Sequence, residues 1–216
     1  MPQIITYFEI IGTIAFAISG ALMSISAGLD IFGVVFVGCI TAVGGGITRD
    51  LMIGVHPPAI FENFEIFLVA IVTCILVFVI SYIYRKKFVE LRKKIEYINN
   101  FFDAIGLAAF AVIGSEVGFK NGFSDNVFII VVIGMITGVG GGIFRDILLD
   151  TTPYVFKKHI YAVAAIAGSA SYALIRKYDG NATVGSLFSI VFIVLIRLLS
   201  TRYCWNLPKV YVEEDK

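Results

Sequence analysis

The chain of 216 residues is 58% hydrophobic and only 15% charged, with a mean hydropathy of +0.91 and a formal net charge of +1. That composition excludes an ordinary soluble domain and specifies an integral membrane protein. Its apolar runs, Phe67–Tyr82 for example, are continuous and lack the alternation of membrane strands, so the spans are read as helices.

A helical crossing takes about 20 apolar residues. In chain order the candidate spans are Ile4–Ala27, Ile31–Ile53, Phe64–Tyr84, Phe101–Phe119, Val127–Leu149, a short one at Ile160–Ile175, and Val184–Leu199. The first has no basic residue before it and no small-residue cleavage pattern after it, so it reads as a permanent helix rather than a removable signal. Pro57, Pro58 and Pro153 close the second and fifth spans. The basic, amphipathic run Arg85–Lys94 reads as a topology determinant that also attracts anionic headgroups. With that run, Lys157, Lys158 and the tail, eleven Lys/Arg lie on one side against Lys120, Arg176 and Lys177 on the other. The positive-inside rule then places the C-terminus in the cytoplasm and the N-terminus outside a cell membrane crossed many times.

The chain repeats itself. At a shift of 96 residues Gly38 falls on Gly134, Thr41 on Thr137, Val43–Ile47 on Val139–Ile143, Arg49 on Arg145, Asp50 on Asp146 and Pro57 on Pro153. At a shift of 94, Glu9 falls on Asp103, Gly12 on Gly106, Phe16 on Phe110 and Gly20 on Gly114. Each copy holds three spans, and an odd number forces the copies to enter the membrane from opposite sides. The expected fold is therefore an all-α membrane protein of seven transmembrane helices, an inverted repeat of two three-helix units plus a seventh helix. The division runs 1–84 for the first unit, 85–98 for a basic linker, 99–176 for the second unit and 177–216 for the last helix and tail. Inverted repeats place substrate or ion sites near the midplane, where interrupted helices face each other.

The repeated motif is Gly44-Gly45-Gly46-Ile47-Thr48-Arg49-Asp50 and Gly140-Gly141-Gly142-Ile143-Phe144-Arg145-Asp146. Each glycine costs a helix about 1 kcal/mol relative to alanine, so a kink or local unwinding is expected at both triplets. Freed carbonyls there, with the hydroxyls of Thr41 and Thr137 one turn earlier, would suit a partly dehydrated monovalent cation. The competing reading is close helix packing, for which small residues also serve; repetition with the same Arg-Asp suffix favours the polar passage. Arg49 and Asp50, like Arg145 and Asp146, are sequence neighbours pointing to different helix faces, which argues against pairing within each motif. Pairing across the repeat is one alternative and snorkelling of both arginines to the headgroups another. A charge beside a cation path would act as a gate unless a carboxylate neutralises it.

Glu9 and Asp103 are read first as dipole caps opening the first helix of each unit, and second as part of a pore mouth. Ser19, Ser24, Ser26, Ser115 and Glu116 are candidates for a hydrated wall, although a serine hydroxyl can bond back to its own helix. Cys39, Cys74 and Cys204 have neither metal-ligand nor disulfide spacing, and His56 and His159 sit alone in loops. No catalytic set, metal cluster or phosphate loop appears, so no enzymatic activity, cofactor or bound metal is expected.

Seven spans, a duplicated three-helix unit and Gly-Gly-Gly-Ile-x-Arg-Asp in the second and fifth helices resemble the prokaryotic branch of the trimeric intracellular cation channel family over essentially the whole chain. The resemblance implies a homotrimer in which each protomer has its own water-filled pore for monovalent cations, chiefly potassium, bordered by kinked second and fifth helices. It implies kinks at Gly44, Gly45, Gly46, Gly140, Gly141 and Gly142, with Arg49, Asp50, Arg145 and Asp146 as the associated charges. The lysine-bearing lipid motif of the animal members is absent from this sequence. Membrane lipids are the other partner expected, with no nucleic acid and no soluble partner. A secondary transporter of a small zwitterion such as glycine is the alternative, since inverted repeats serve both. Replacing Gly45 and Gly141 together by leucine should abolish conductance and leave assembly intact.

Overall fold

The structure is a computed structural model and describes residues 3–62, 64–86, 92–157, 160–178 and 180–205. Lys87, Lys158, His159, Lys209 and Lys216 lie outside the described residues. The long helices are α1 (Gln3–Ser26), α2 (Ile31–Met52), α3 (Phe64–Ile83), α4 (Arg92–Gly118), α5 (Val127–Leu148), α6 (Tyr161–Tyr178) and α7 (Ala182–Arg202). A 3-10 turn at Ala59–Phe61 follows α2, and a single helical turn at Tyr154–Lys157 follows α5.

The starts of α2 and α5 are set by side chains at matching places in the two halves. Asp30 accepts the Gly33 N–H at 2.8 Å, and Asn126 accepts the Ile129 N–H at 3.2 Å. Each satisfies a backbone donor that a helix start leaves open. Asn181 does the same for Thr183 and Val184 at the start of α7.

Among the described residues six helices are long and apolar enough to cross a membrane: all of the seven long ones but α6. The 18-residue α6 (Tyr161–Tyr178) falls short because Ala, Gly and Ser fill it and Arg176 and Lys177 close it. It packs against α4, α5 and α7. Helix α4 sits at the centre, with 83% of its apolar window buried, against 11% for α3. Only Ala70 and Cys74 of α3 are buried. The long apolar face it leaves open is what lipid or another protein surface covers. Helix α4 packs against α1, α5, α6 and α7, and α1 against α2, α3 and α4.

The two halves meet in reciprocal contacts. A Cβ placed on Gly45 would lie 2.1 Å from the Thr137 carbonyl oxygen, and one on Gly141 would lie 2.0 Å from that of Thr41. The rings of Phe16 and Phe110, which the shift of 94 places on each other, stack at 5.4 Å.

The unwinding expected at the glycine triplets is absent. Both triplets lie inside unbroken helices, Ile31–Met52 and Val127–Leu148. The gain from the missing side chains is close approach: α2 and α5 cross with the Gly45 and Gly141 backbones pressed on carbonyl oxygens, a distance that admits no Cβ. Packing against a second helix offsets the poor helix propensity of glycine, as it does in other membrane crossings.

Candidate functional site

Beyond the crossing, each Arg-Asp pair closes on itself, contrary to the sequence expectation. Arg49 Nε donates to Asp50 Oδ1 at 2.8 Å, and Arg145 Nε donates to Asp146 Oδ1 at 2.8 Å. Sequence neighbours can meet here because both sit in the last turn of a helix, where the long arginine side chain folds back. The second carboxylate oxygen is used in each case as well. Asp50 Oδ2 accepts the Ala59 N–H at 2.9 Å, and Asp146 Oδ2 accepts the Tyr154 N–H at 2.8 Å. Each aspartate therefore pins the returning loop to the helix end while neutralising its arginine.

Neither arginine snorkels. Arg49 is 9% exposed and Arg145 fully buried. No cross-repeat ion pair between the motifs is found among the described residues; the outward partners differ instead. Arg145 Nη1 donates to Asp103 Oδ1 on α4 and to Ser19 Oγ on α1, both at 2.7 Å, and its guanidinium lies 5.0 Å from the Tyr154 ring centre. Ser19 in turn donates to Asn99 Oδ1 at 2.8 Å. A second buried guanidinium, Arg197 of α7, stands 3.9 Å from Asp103 Oδ2 and 4.5 Å from the Tyr161 ring centre. Charges so deeply buried are tolerable only when paired in this way. Because Arg145 is fully buried and shares Asp103 with a second buried guanidinium, Arg197, loss of Asp146 leaves a net positive charge with no access to water: Asp146→Ala is expected to lower the detergent melting temperature further than Asp50→Ala, each losing about 1.5–3 kcal/mol or more for a charge-assisted bond. Equal shifts would contradict this reading.

Glu9 and Asp103 are not helix caps. Neither α1 nor α4 has an acidic residue in its first turn, since both helices begin well before these residues. Thr41 and Thr137 donate their hydroxyls back to Val37 and Ile133 carbonyls at 2.7 Å, so in this structure they fill the crossing rather than line an open space. Ser24, Ser26 and Ser115 also bond back within their helices. Among the serines named from sequence, Ser19 is the one that reaches across to other helices.

Two clefts flank the crossing. One is lined by Glu9, Thr13, Gly46, Arg49, Asp50 and Phe110. The other is lined by Met23, Ser26, Glu96, Asn99 and Tyr154. Glu9, Thr13, Phe16, Ser19, Met23 and Ser26 are spaced three or four residues apart and so form one stripe along α1. Both clefts thus open on the same face of one helix, with Phe16 between them. The equivalent stripe on α4, from Asp103 through Leu107, Phe110, Ile113 and Val117, is apolar after its first member.

Sequence reasoning missed three features. Arg197 lay in the middle of an apolar run outside the repeat, with no motif to flag it. Thr13 carried no signal beyond its register with Glu9. Glu116 was seen as a wall residue, whereas it is fully buried, accepts the Tyr172 hydroxyl at 2.5 Å and lies 3.5 Å from both Lys120 Nζ and Arg176 Nε. Cys39 and Cys74 are buried and unbridged. No metal-holding group of three His, Cys, Asp or Glu occurs among the described residues.

Comparison with known proteins agrees with this architecture. A family model described as "Glycine transporter" matches residues 6–82 and 100–177. The UPF0126 membrane protein YvgT of Bacillus subtilis is 36% identical over 201 residues, covering 93% of each chain. The UPF0126 inner membrane protein YadS of Escherichia coli is 33% identical over 214 residues, covering 99% of each chain. A crystal structure of a prokaryotic TRIC channel superposes with a TM-score of 0.84 at 35% identity, covering 96% of this chain and 100% of that one. Similarity of sequence and of structure along nearly the whole length places this chain in the prokaryotic branch of the trimeric intracellular cation channel family, which is the family the matching model describes.

Proposed function

We propose that this protein is a potassium-permeable monovalent cation channel in the cell membrane, acting as a homotrimer with one pore in each protomer. In this reading there are seven spans. Units 1–84 and 99–176 form an inverted repeat, the linker 85–98 and the tail face the cytoplasm, the N-terminus lies outside, and α7 stands outside the repeat. The observation that carries the reading is the α1 stripe: a line of side chains from Glu9 to Ser26, polar except at Phe16 and Met23, joins a cleft on one side of the α2–α5 crossing to a cleft on the other. A passage along that line meets Glu9, Thr13 and Arg49 on the outer side and Ser19, Asn99 and Arg145 on the inner side. The Arg-Asp pairs keep it from presenting an uncompensated positive barrier to cations.

At the midpoint Phe16 and Phe110 stack and α2 and α5 touch, so the described conformation is closed there. The two glycine triplets are the place where the crossing can yield: without side chains, α2 and α5 can slide or bend against each other at small cost. Exposed helix carbonyls in the opened state would supply the ion with oxygen ligands.

The solved relative is described as a TRIC channel, and enzymatic activity is foreign to that family. Transport of a small zwitterion is the less favoured alternative. Proteoliposome flux separates the two. Rapid potassium release from loaded vesicles, with no saturable uptake of labelled glycine, is expected; saturable glycine uptake without potassium release would overturn the channel reading.

A further inference from the structure

Of the two quasi-equivalent carboxylates, one is ion-paired and one is not. Asp103 holds two guanidinium groups, Arg145 at 2.7 Å and Arg197 at 3.9 Å. With Asp146 that cluster is neutral. Its counterpart, Glu9, makes no hydrogen bond or ion pair among the described residues, and it shares a cleft with an arginine already bound to its own aspartate. Glu9, Arg49 and Asp50 together leave one negative charge. The difference arises from α7: as the helix outside the repeat it reaches only the second half, so it supplies a tethered cation at Asp103 and none at Glu9.

A second observation points to a ligand in the cleft at Glu9. The Thr13 side chain lines it, is fully buried, and its Oγ1 has no hydrogen-bond partner. A buried hydroxyl without a partner is costly, and a cation or its water satisfies it. The cleft offers about 40 Å³ to the centre of a water-sized sphere, room for a partly dehydrated ion with one or two waters at roughly 10–15 Å³ each.

We propose that this cleft is a binding site for a monovalent cation of the potassium type, held by the Glu9 carboxylate and the Thr13 hydroxyl, and that Arg197 permanently occupies the corresponding position at Asp103. The single uncompensated charge selects a monovalent ion, because calcium or magnesium sites gather more oxygen ligands, commonly including several carboxylates. Arg49, clamped by Asp50, borders the site and limits it to one ion. The proposal deepens the channel reading and rests on it: an ion waiting at Glu9 is next to the stripe it would travel.

The test uses the full-length protein, purified in detergent and in planar bilayers. Melting temperature is compared in potassium chloride and in N-methyl-D-glucamine chloride of equal ionic strength. Potassium should stabilise the native protein, Glu9→Gln should lose that stabilisation, and Glu9→Asp should retain most of it. Thr13→Val should weaken the apparent potassium affinity roughly tenfold, the equivalent of about 1.4 kcal/mol. Glu9 has no hydrogen bond or ion pair to lose among the described residues, so Glu9→Gln should elute from gel filtration as the native protein does. In bilayers Glu9→Gln should lower unitary conductance several-fold at low potassium and converge on the native value at molar salt. A native protein equally stable in both salts, or a Glu9→Gln variant that keeps the potassium response, overturns the site. Potassium stabilisation without any current would sink the channel reading and leave the site standing; currents without stabilisation would do the reverse.

Discussion

Replacing Gly45 or Gly141 by alanine is expected to be among the most damaging single-methyl changes in the molecule. The added Cβ would stand 2.1 or 2.0 Å from a main-chain carbonyl oxygen of the crossing helix. No rotamer change relieves a backbone contact, so α2 and α5 must separate. The cost belongs at or above the top of the usual 1–3 kcal/mol for overpacking. The neighbouring Gly46 is the control: its nearest obstacle is Arg49 Nη2 at 3.7 Å, so Gly46→Ala should be neutral or should stabilise by up to about 1 kcal/mol through helix propensity. Detergent melting temperatures and gel-filtration profiles read the difference, and equal effects at Gly45 and Gly46 would contradict the crossing. The expectation from sequence that leucine at Gly45 and Gly141 would leave assembly intact is thereby replaced: the double variant should fail to fold before its conductance can be asked about.

Asp103→Asn carries the second large effect. The change keeps the side-chain shape and removes one charge, leaving the buried Arg145 and Arg197 guanidinium groups with Asp146 as the nearest carboxylate. Stripping one partner from a buried ion pair costs roughly 3–5 kcal/mol, and here two cations lose the same partner. The yield of monodisperse protein should collapse or its melting temperature fall steeply. Glu9→Gln, at the quasi-equivalent place, should fold normally. An Asp103→Asn variant as stable as Glu9→Gln would show that the charges are not coupled as described.

Much of this was legible in the sequence because membrane helices and duplication both leave strong linear marks. Continuous apolar runs placed the ends of most helices within a few residues, since no other structure satisfies backbone groups in hydrocarbon. The shifts of 94 and 96 marked as equivalent several residues that the structure brings together, Phe16 with Phe110 and the glycines of one motif with the threonine carbonyl of the other, although the repeat alone named no such contact. What the linear pattern could not carry was the consequence of that meeting. Glycine propensity argued for unwinding, but propensity is a local quantity, and the close approach of α2 and α5 keeps both helices whole. The same limit hid the arginine partners. Face arguments based on a regular helix interior separate Arg49 from Asp50, whereas at a helix end the arginine stem curls back to its neighbour. Arg197 had no repeat partner to advertise it, and the asymmetry it creates is visible only once α7 is laid against α4.

In the proposed channel potassium crosses the protein along the α1 face that runs from Glu9 to Ser26 between the two clefts. Single-channel recording of the purified full-length protein in a planar bilayer, under a potassium chloride gradient, tests it most directly. Discrete unitary currents reversing near the potassium equilibrium potential are expected, and they should disappear when Ser19, midway along that face, is replaced by leucine in a protein that still elutes as the native one. Absence of unitary events from well-folded native protein, or currents reversing at the chloride potential, would contradict it.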